Sequence, residues 1–370
     1  MGIKTEKRIK TKRNGEIEFW RAVFCMIVFI YHISLDFDSS TTIFKMGQIG
    51  VEFFFLISGL FMARSIDMKR DTESKEPLGI ESLKFVIKKY VAFFPYHLFV
   101  FVAGFIFYIQ RFDLHFLDFC EKVLFVIPQF FLVHLSGMIS ESKVVSVEWY
   151  LSGMLIAMLI MYPLIRKFYD MYVHIIAPLS GLAIMGMSYV KRGTILGAYQ
   201  WDGITTWGVF RAIFLMNLGC IAYEIAKYIT AKKLTSFSKI TLSLLCLFGY
   251  MATVFFVNFQ LNEKVRYSLV LILMFSVAVS FSGINFYGKI FDNGFCRYIG
   301  KLTLPMYLNT NIIRYILVHT GLTELRYRYF LIVAIALNFA LSAVLMFVVE
   351  KIIRNKNLRK NKHTGKYSGV

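Results

Sequence analysis

The stretch RAVFCMIVFIYH, residues 21–32, places ten mostly apolar residues between an arginine and a histidine. With the apolar residues on either side, from Ile17 onward, it is long enough to cross a hydrocarbon core of about 30 Å as a helix. A chain inside a bilayer must satisfy its own backbone hydrogen bonds, which favours a helix. The stretch therefore predicts a membrane-spanning helix that carries a fixed cation near one end and a titratable ring near the other.

The rest of the chain repeats this apolar pattern. Its 370 residues are 57% hydrophobic and 17% aromatic, with a mean hydropathy of +0.59, which is more apolar than a soluble protein requires. Ten further apolar runs follow the first, centred near residues 56, 97, 129, 156, 181, 217, 248, 275, 308 and 339. We predict an all-α, multi-pass protein of the cytoplasmic membrane, and the hydropathy excludes a soluble nucleic-acid-binding protein.

The net charge of +19 has a pattern that is typical of membrane topology. Basic residues cluster in short segments between and beyond the apolar runs. This pattern is expected because the cytoplasmic loops of membrane proteins carry an excess of Lys and Arg. We predict a basic cytoplasmic segment over residues 1–16, a single transmembrane domain over 17–350 and a basic cytoplasmic tail over 351–370. Membrane lipids with anionic headgroups are the partners expected for these segments, rather than nucleic acid.

The charges of the loops also indicate how many runs cross the membrane. Basic loops alternate correctly with acidic or balanced loops only if the run from Cys120 to Met138, which contains Pro128, does not cross. We therefore predict about ten transmembrane helices with both termini cytoplasmic. The run from Cys120 to Met138 is predicted to be an additional re-entrant or interfacial helix on the outer side.

The cysteines point to neither a disulfide framework nor a metal site. They are five in number, scattered along the chain and mostly within apolar runs. We expect them to be small core residues, and we expect no bound metal.

Arg21 and His32 share one face of the first helix. Eleven residues come close to three whole turns and separate the two side chains by roughly 16 Å along the axis. Arg21 alone is compatible with an ordinary anchor at the membrane surface. Glu52, in the second helix, is placed at about the depth of His32 and is costly there unless it is paired. A pair between His32 and Glu52 is one interpretation, and a glutamate bound to a neighbouring helix for packing alone is the other.

These residues resemble the acyltransferase 3 family of bacterial membrane acyltransferases. The resemblance rests on Arg21, ten residues and His32, followed by the pattern G-V-x-x-F-F-x-x-S-G over residues 50–59. It continues in KKYVAFFPY (88–96), VEWYLSGMLIAMLIMYPLI (147–165) and YIGKLTLPMYLNT (298–310). The chain departs from the family where many members carry glutamate, histidine or arginine, since it has Met154, Thr310 and Ala92 at those positions.

The resemblance implies an O-acyltransferase. The donor would be acetyl-CoA or another acyl-CoA from the cytoplasm, and the acceptor a hydroxyl of a cell-envelope polysaccharide or its lipid-linked sugar precursor. His32, paired with Glu52, would be catalytic. The acyl-CoA-binding residues would be basic, namely Arg21, Arg64, Lys88 and Lys89. The acceptor-side or structural residues would be those of the later motifs, namely Ser58, Gly59, Trp149 and Tyr307.

Two other functions remain open at this point. A polytopic transporter or glycan flippase would use buried Arg, His and Glu side chains as a path for substrate or protons. A non-catalytic component of envelope assembly would keep the fold without the activity, and the substitutions at Met154 and Thr310 are compatible with that function.

Overall fold

The computed structural model describes residues 14–35, 42–74, 76–110, 115–138 and 144–363, with side chains described as far as residue 355. Within these residues the chain is helical and has no β-strand, which confirms the predicted all-α membrane class. Residues 1–13 of the predicted basic N-terminal segment lie outside the described residues. Residues 364–370 of the predicted basic tail do as well.

Twelve helices of ten or more residues make up most of the described part of the chain. In chain order they run over Gly15–Ser34 (α1), Ile49–Asp67 (α2), Leu78–Ile109 (α3), Phe116–Phe130 (α4), Trp149–Lys167 (α5), Tyr169–Arg192 (α6), Trp207–Ala231 (α7), Ser236–Phe256 (α8), Glu263–Ser282 (α9), Gly294–Leu308 (α10), Thr310–His319 (α11) and Tyr327–His363 (α12). Nine of them are long and apolar enough to cross a membrane, and the exceptions are α4, α10 and α11.

Helices α10 and α11 form one broken helix, at the position of the tenth predicted crossing. They follow each other with only Asn309 between them, and Pro305 lies within the last turn of α10. Both pack against α1, since Thr303 in α10 contacts Cys25 and Ile313 in α11 belongs to the same apolar cluster as Ile30. The order of contacts shows that this broken helix runs parallel to α1 along its length.

Helix α4 differs from the crossing helices. Its 15 residues span only about 22 Å, which is less than the hydrocarbon core. The end of α3 and the segment before α5 both contact α11, through Phe107 stacked on Tyr315 and Ser146 bonded to Asn311. Helix α4 therefore starts and finishes at one end of the bundle, in agreement with a re-entrant or interfacial helix.

The bundle has two ends, which are named here by the direction of α1. The N-terminal end is the one where α1 begins at Gly15, and the opposite end is the one where α1 stops at Ser34. The cytoplasmic location of the N-terminal end and of both termini stays a prediction, made from the charges of the loops.

Helices α2 and α7 cross with their backbones in close contact. A Cβ atom on Gly59 would lie 2.0 Å from the Met216 carbonyl oxygen, and one on Gly219 would lie 2.0 Å from that of Leu56. Small residues let helix backbones approach in a membrane, where dispersion contacts and hydrogen bonds replace the hydrophobic drive between helices. Gly59, predicted to be an acceptor-side or structural residue, lies at this crossing.

Candidate functional site

A cavity of about 200 Å³ lies between α1, α2, α3, α5 and α10. Three residues predicted from the sequence, Arg21, Ser58 and Tyr307, line it together. Its other walls are largely apolar, and Met154, at the position where the sequence departs from the family pattern, forms part of them. The structure thus brings together predicted residues that are separated by more than 280 positions in the chain.

Arg21 faces this cavity. Its Nη1 donates to Glu18 Oε2 at 2.9 Å, one turn earlier on α1, and its Nη2 donates to Thr303 Oγ1 at 3.2 Å. These two hydrogen bonds orient the guanidinium group and use only part of its five N–H donors. The side chain is 24% exposed. Arg21 is therefore a positioned cation that lines a cavity, and not only an anchor at the membrane surface.

The hydroxyl groups around the cavity are also held in place. Ser58 Oγ donates to the Phe54 carbonyl oxygen at 2.8 Å and lies 3.1 Å from Tyr150 Oη. Tyr307 Oη donates to the Val147 carbonyl oxygen at 2.6 Å, which ties α10 to the turn before α5. The cavity therefore presents one cation and fixed hydroxyl groups to an otherwise apolar space. This arrangement suits a ligand that has a polar group and an apolar chain.

The structure does not form the predicted pair between His32 and Glu52. Glu52 Oε1 instead accepts a hydrogen bond from Arg211 Nη2 at 2.9 Å and lies 3.7 Å from Arg266 Nη1. All three of these side chains are almost fully buried. Two guanidinium groups, which are always charged, compensate a buried carboxylate better than a histidine that titrates. The glutamate is bound to neighbouring helices, and its catalytic role stays a prediction.

His32 lies in the last turn of α1, outside the cavity lining. Its ring contacts that of Tyr31 edge-on at 5.1 Å, and the guanidinium of Arg314 in α11 is near enough to act on it electrostatically. Because Arg21 and His32 are both on the continuous helix α1, they are separated by about 16 Å along its axis. The two predicted residues thus sit at different depths of the bundle.

The other predicted basic residues lie at different distances from the cavity. Lys89 is placed over the Phe85 ring at 5.5 Å and is close enough to Arg21 for their charges to interact. Lys88, beside it on α3, is exposed. Arg64 lies over the Phe281 ring at 5.7 Å, facing α9.

Trp149 is not in the cavity lining. Its ring lies under the guanidinium of Arg211 at 5.0 Å and packs near Phe55. The predicted acceptor-side residues are therefore divided between two places, since Tyr307 lines the cavity and Trp149 belongs to the cluster around Glu52.

Sequence reasoning missed another buried acid, Glu148, and its partner. His97 Nδ1 lies 2.6 Å from Glu148 Oε1, and His97 Nε2 lies 2.8 Å from the Phe130 carbonyl oxygen. Gln129 donates to the other oxygen of Glu148 at 3.2 Å. Both ring nitrogens face acceptors, so neither is available to a substrate. The cluster fastens α4 to the start of α5, and the ionisable residues within apolar runs are the feature that points to it.

The comparisons with known proteins give one match. A family model described as "Acyltransferase domain" matches residues 14–347, which is nearly the whole chain and includes every residue of the cavity. No curated protein and no solved structure matches.

Proposed function

Since the chain belongs to the acyltransferase family whose model spans residues 14–347, we propose that it is an O-acyltransferase of the bacterial cytoplasmic membrane. It transfers an acyl group, in the first place acetyl, from cytoplasmic acyl-CoA to a hydroxyl of a cell-envelope polysaccharide or its lipid-linked precursor. The observation that supports this proposal most directly is the position of Arg21, which offers unused N–H donors to a cavity inside the bundle.

The donor enters from the N-terminal end in this proposal. Coenzyme A carries phosphates at one end and its thioester at the end of a long, flexible arm. Lys88 and Lys89, in the first half of α3, bind the phosphates, and the arm extends into the cavity. When the donor binds, Arg21 donates to a polar group of the arm or to the thioester oxygen.

The acceptor approaches from the opposite end. His32 accepts the proton of the acceptor hydroxyl while the hydroxyl oxygen forms a bond to the thioester carbon. The carbon–sulfur bond breaks, the thiolate of coenzyme A leaves, and the proton on His32 passes to that sulfur. Because about 16 Å separates Arg21 from His32, the thioester advances along the bundle from Arg21 to His32 on its long arm before the hydroxyl attacks.

The O-acetyl content of the envelope polysaccharides tests this proposal. It is measured by proton NMR before and after mild base, in the native strain, a deletion strain and strains with His32→Ala or Arg21→Ala. Matched controls are His319→Ala and Arg297→Ala, since both of these residues are exposed or half-buried away from the cavity.

Acetyl signals are expected to vanish in the deletion strain and with His32→Ala, and to fall with Arg21→Ala, while both controls keep the native content. Each variant must be present in the membrane at a comparable level. Unchanged acylation of every acceptor in the deletion strain would refute acyl transfer and favour transport of a glycan instead.

A further inference from the structure

The cavity beside Arg21 is lined by both polar and apolar side chains. Its polar groups include those of Arg21, Ser58, Tyr150 and Thr303, on four different helices. The apolar part of the lining, here called the apolar side, includes Ile57, Phe61, Phe93, Leu151 and Met154. A ligand that fills the cavity can therefore direct a polar group to Arg21 and place an apolar part against Leu151 and Met154.

Met154 forms a wall of the apolar side. It is 3% exposed, and it follows Leu151 by three residues on α5, so that both side chains face the same space. Tyr150 Oη donates to Met154 Sδ at 3.5 Å, which helps to hold the end of a side chain that is otherwise flexible. The position of this wall is therefore defined, although it is made by an unbranched residue.

The volume of the cavity exceeds what an acetyl group needs. Water-sized groups take up about 30 Å³ each, so a cavity of about 200 Å³ has room for several carbon atoms beyond the thioester carbonyl. Burial of each methylene contributes about 0.8 kcal/mol to binding, a factor of about four in affinity, as long as the chain does not meet the wall. A chain that reaches the wall loses this gain, because overpacking of a well-packed site is unfavourable.

We propose that this cavity holds the acyl chain of the donor thioester and that Met154 sets the maximum length of the chain. The inference rests on the proposed function, since it presumes an acyl-CoA donor. When the donor first binds, the thioester oxygen is directed to Arg21, and a short chain, up to about butyryl, extends toward Leu151 and Met154. Met154 is then the residue that determines the class of donor, and acts by exclusion of longer chains.

Binding of donors of graded length tests this proposal without any acceptor. The purified full-length protein is titrated with coenzyme A and with acetyl-, butyryl-, hexanoyl- and octanoyl-CoA, by calorimetry or by the ligand-dependent shift in thermal unfolding. The variant Met154→Ala removes three heavy atoms from the wall. Met158→Ala, one turn further along α5, is the matched control, because Met158 is 2% exposed but does not line the cavity.

The affinity for hexanoyl-CoA relative to acetyl-CoA is expected to rise about tenfold in Met154→Ala, which corresponds to room for about two more methylene groups. Met158→Ala is expected to keep the native ratio. Met154→Phe is a second variant, which fills space instead of leaving a cavity. In this variant we expect butyryl-CoA to bind no more tightly than acetyl-CoA.

Two negative results have different meanings. If the native protein binds none of the acyl-CoA probes, both the proposed donor and this inference are refuted. If it binds acetyl-CoA but both Met154 variants keep the native dependence on chain length to within a factor of two, the proposed function stands and the role of Met154 is refuted.

Discussion

The carboxylate of Glu52 illustrates how a buried charge is tolerated in this bundle. One of its oxygens is close to two guanidinium groups, from Arg211 in α7 and Arg266 in α9, and Arg266 is also bonded to Glu263 at 3.2 Å. The cluster thus contains two positive and two negative groups. Such a neutral cluster is compatible with burial, whereas loss of one member leaves a charge without compensation.

Glu52→Gln is expected to destabilise the protein by about 3 to 5 kcal/mol, because Arg211 would remain buried without its partner. Thermal unfolding of the purified protein in detergent measures this change. The double variant Glu52→Gln/Arg211→Met removes the charge as well, and we expect it to recover part of the stability. If Glu52→Gln unfolds like the native protein but has lost acyl transfer, the glutamate serves catalysis, and its role in the cluster is minor.

His134 provides a pH-dependent contribution to stability outside the membrane-spanning helices. It is fully buried between α4 and α5, and among the described residues neither ring nitrogen has a hydrogen-bond partner. Burial, together with the nearby His97, lowers the pKa of His134 to about 3. The folded protein therefore keeps this ring neutral at pH values where an unfolded chain, with an ordinary histidine pKa near 6.5, takes up a proton.

Because the unfolded chain binds the proton first, stability from this group is complete above about pH 6.5 and decreases as the pH falls toward 3, by roughly 1 kcal/mol per pH unit. His134→Phe is expected to flatten the dependence of unfolding on pH between 4 and 6.5. The control His319→Phe, at an exposed site, should retain the native profile. Equal slopes for all three proteins would contradict the assignment.

At the scale of helices, the crossing of α2 and α7 depends on two glycines. Gly59→Ala would place a Cβ atom 2.0 Å from a backbone oxygen, and backbone cannot move aside as a flexible side chain does. We expect a loss of stability of about 1 to 3 kcal/mol or failure to accumulate in the membrane. Gly186→Ala in α6, where nothing lies within 4 Å, is the matched control and is expected to be neutral or slightly stabilising. The crossing is not as close as described if Gly59→Ala unfolds at the native temperature.

The cluster of His97, Glu148 and Gln129 joins three helical elements at the opposite end. It connects α3 with the end of α4 and with the turn that precedes Trp149 and Tyr150. Tyr307 bonds to the same turn through the Val147 carbonyl oxygen. The start of α5 is thereby held from three sides, and Tyr150, Leu151 and Met154 on this helix are positioned against the cavity.

At the scale of the whole molecule, the arrangement of the helices predicts which loops share a side of the membrane. In a Cys120→Ser background, where the four remaining native cysteines are buried, cysteines introduced one at a time at Leu117 and Met138 are expected to react with a membrane-impermeant maleimide added to cells whose outer barrier is permeabilised. Both are exposed and lie at the opposite end of the bundle. A cysteine at Ser74, in the loop between α2 and α3, is expected to react only after lysis. Labelling of Leu117 and Met138 from different sides would show that the segment crosses.

The sequence predicted the general architecture well because its evidence is local. The apolar runs, their lengths and the charges between them predicted an all-α membrane protein, and the spacing of Arg21, His32 and residues 50–59 indicated the family that the family model confirms. The predicted pairing of Glu52 with His32 was wrong for a physical reason. A carboxylate at a given depth can meet any helix that is turned toward it, and Arg211 and Arg266 are more than 150 positions away in the chain.

By itself, the sequence determined the membrane class, the approximate number and order of the helices and the resemblance to acyltransferases, since hydropathy and motif spacing act within one helix or between neighbouring ones. Only the tertiary structure decided that Arg21, Ser58, Met154 and Tyr307 share one cavity, that Glu52 belongs to an arginine cluster and that His97 is bonded to Glu148. Contacts of this kind depend on the rotation of each helix about its axis and on the packing of helices that are distant in the chain. A membrane helix that is apolar on all sides gives no sequence signal for either.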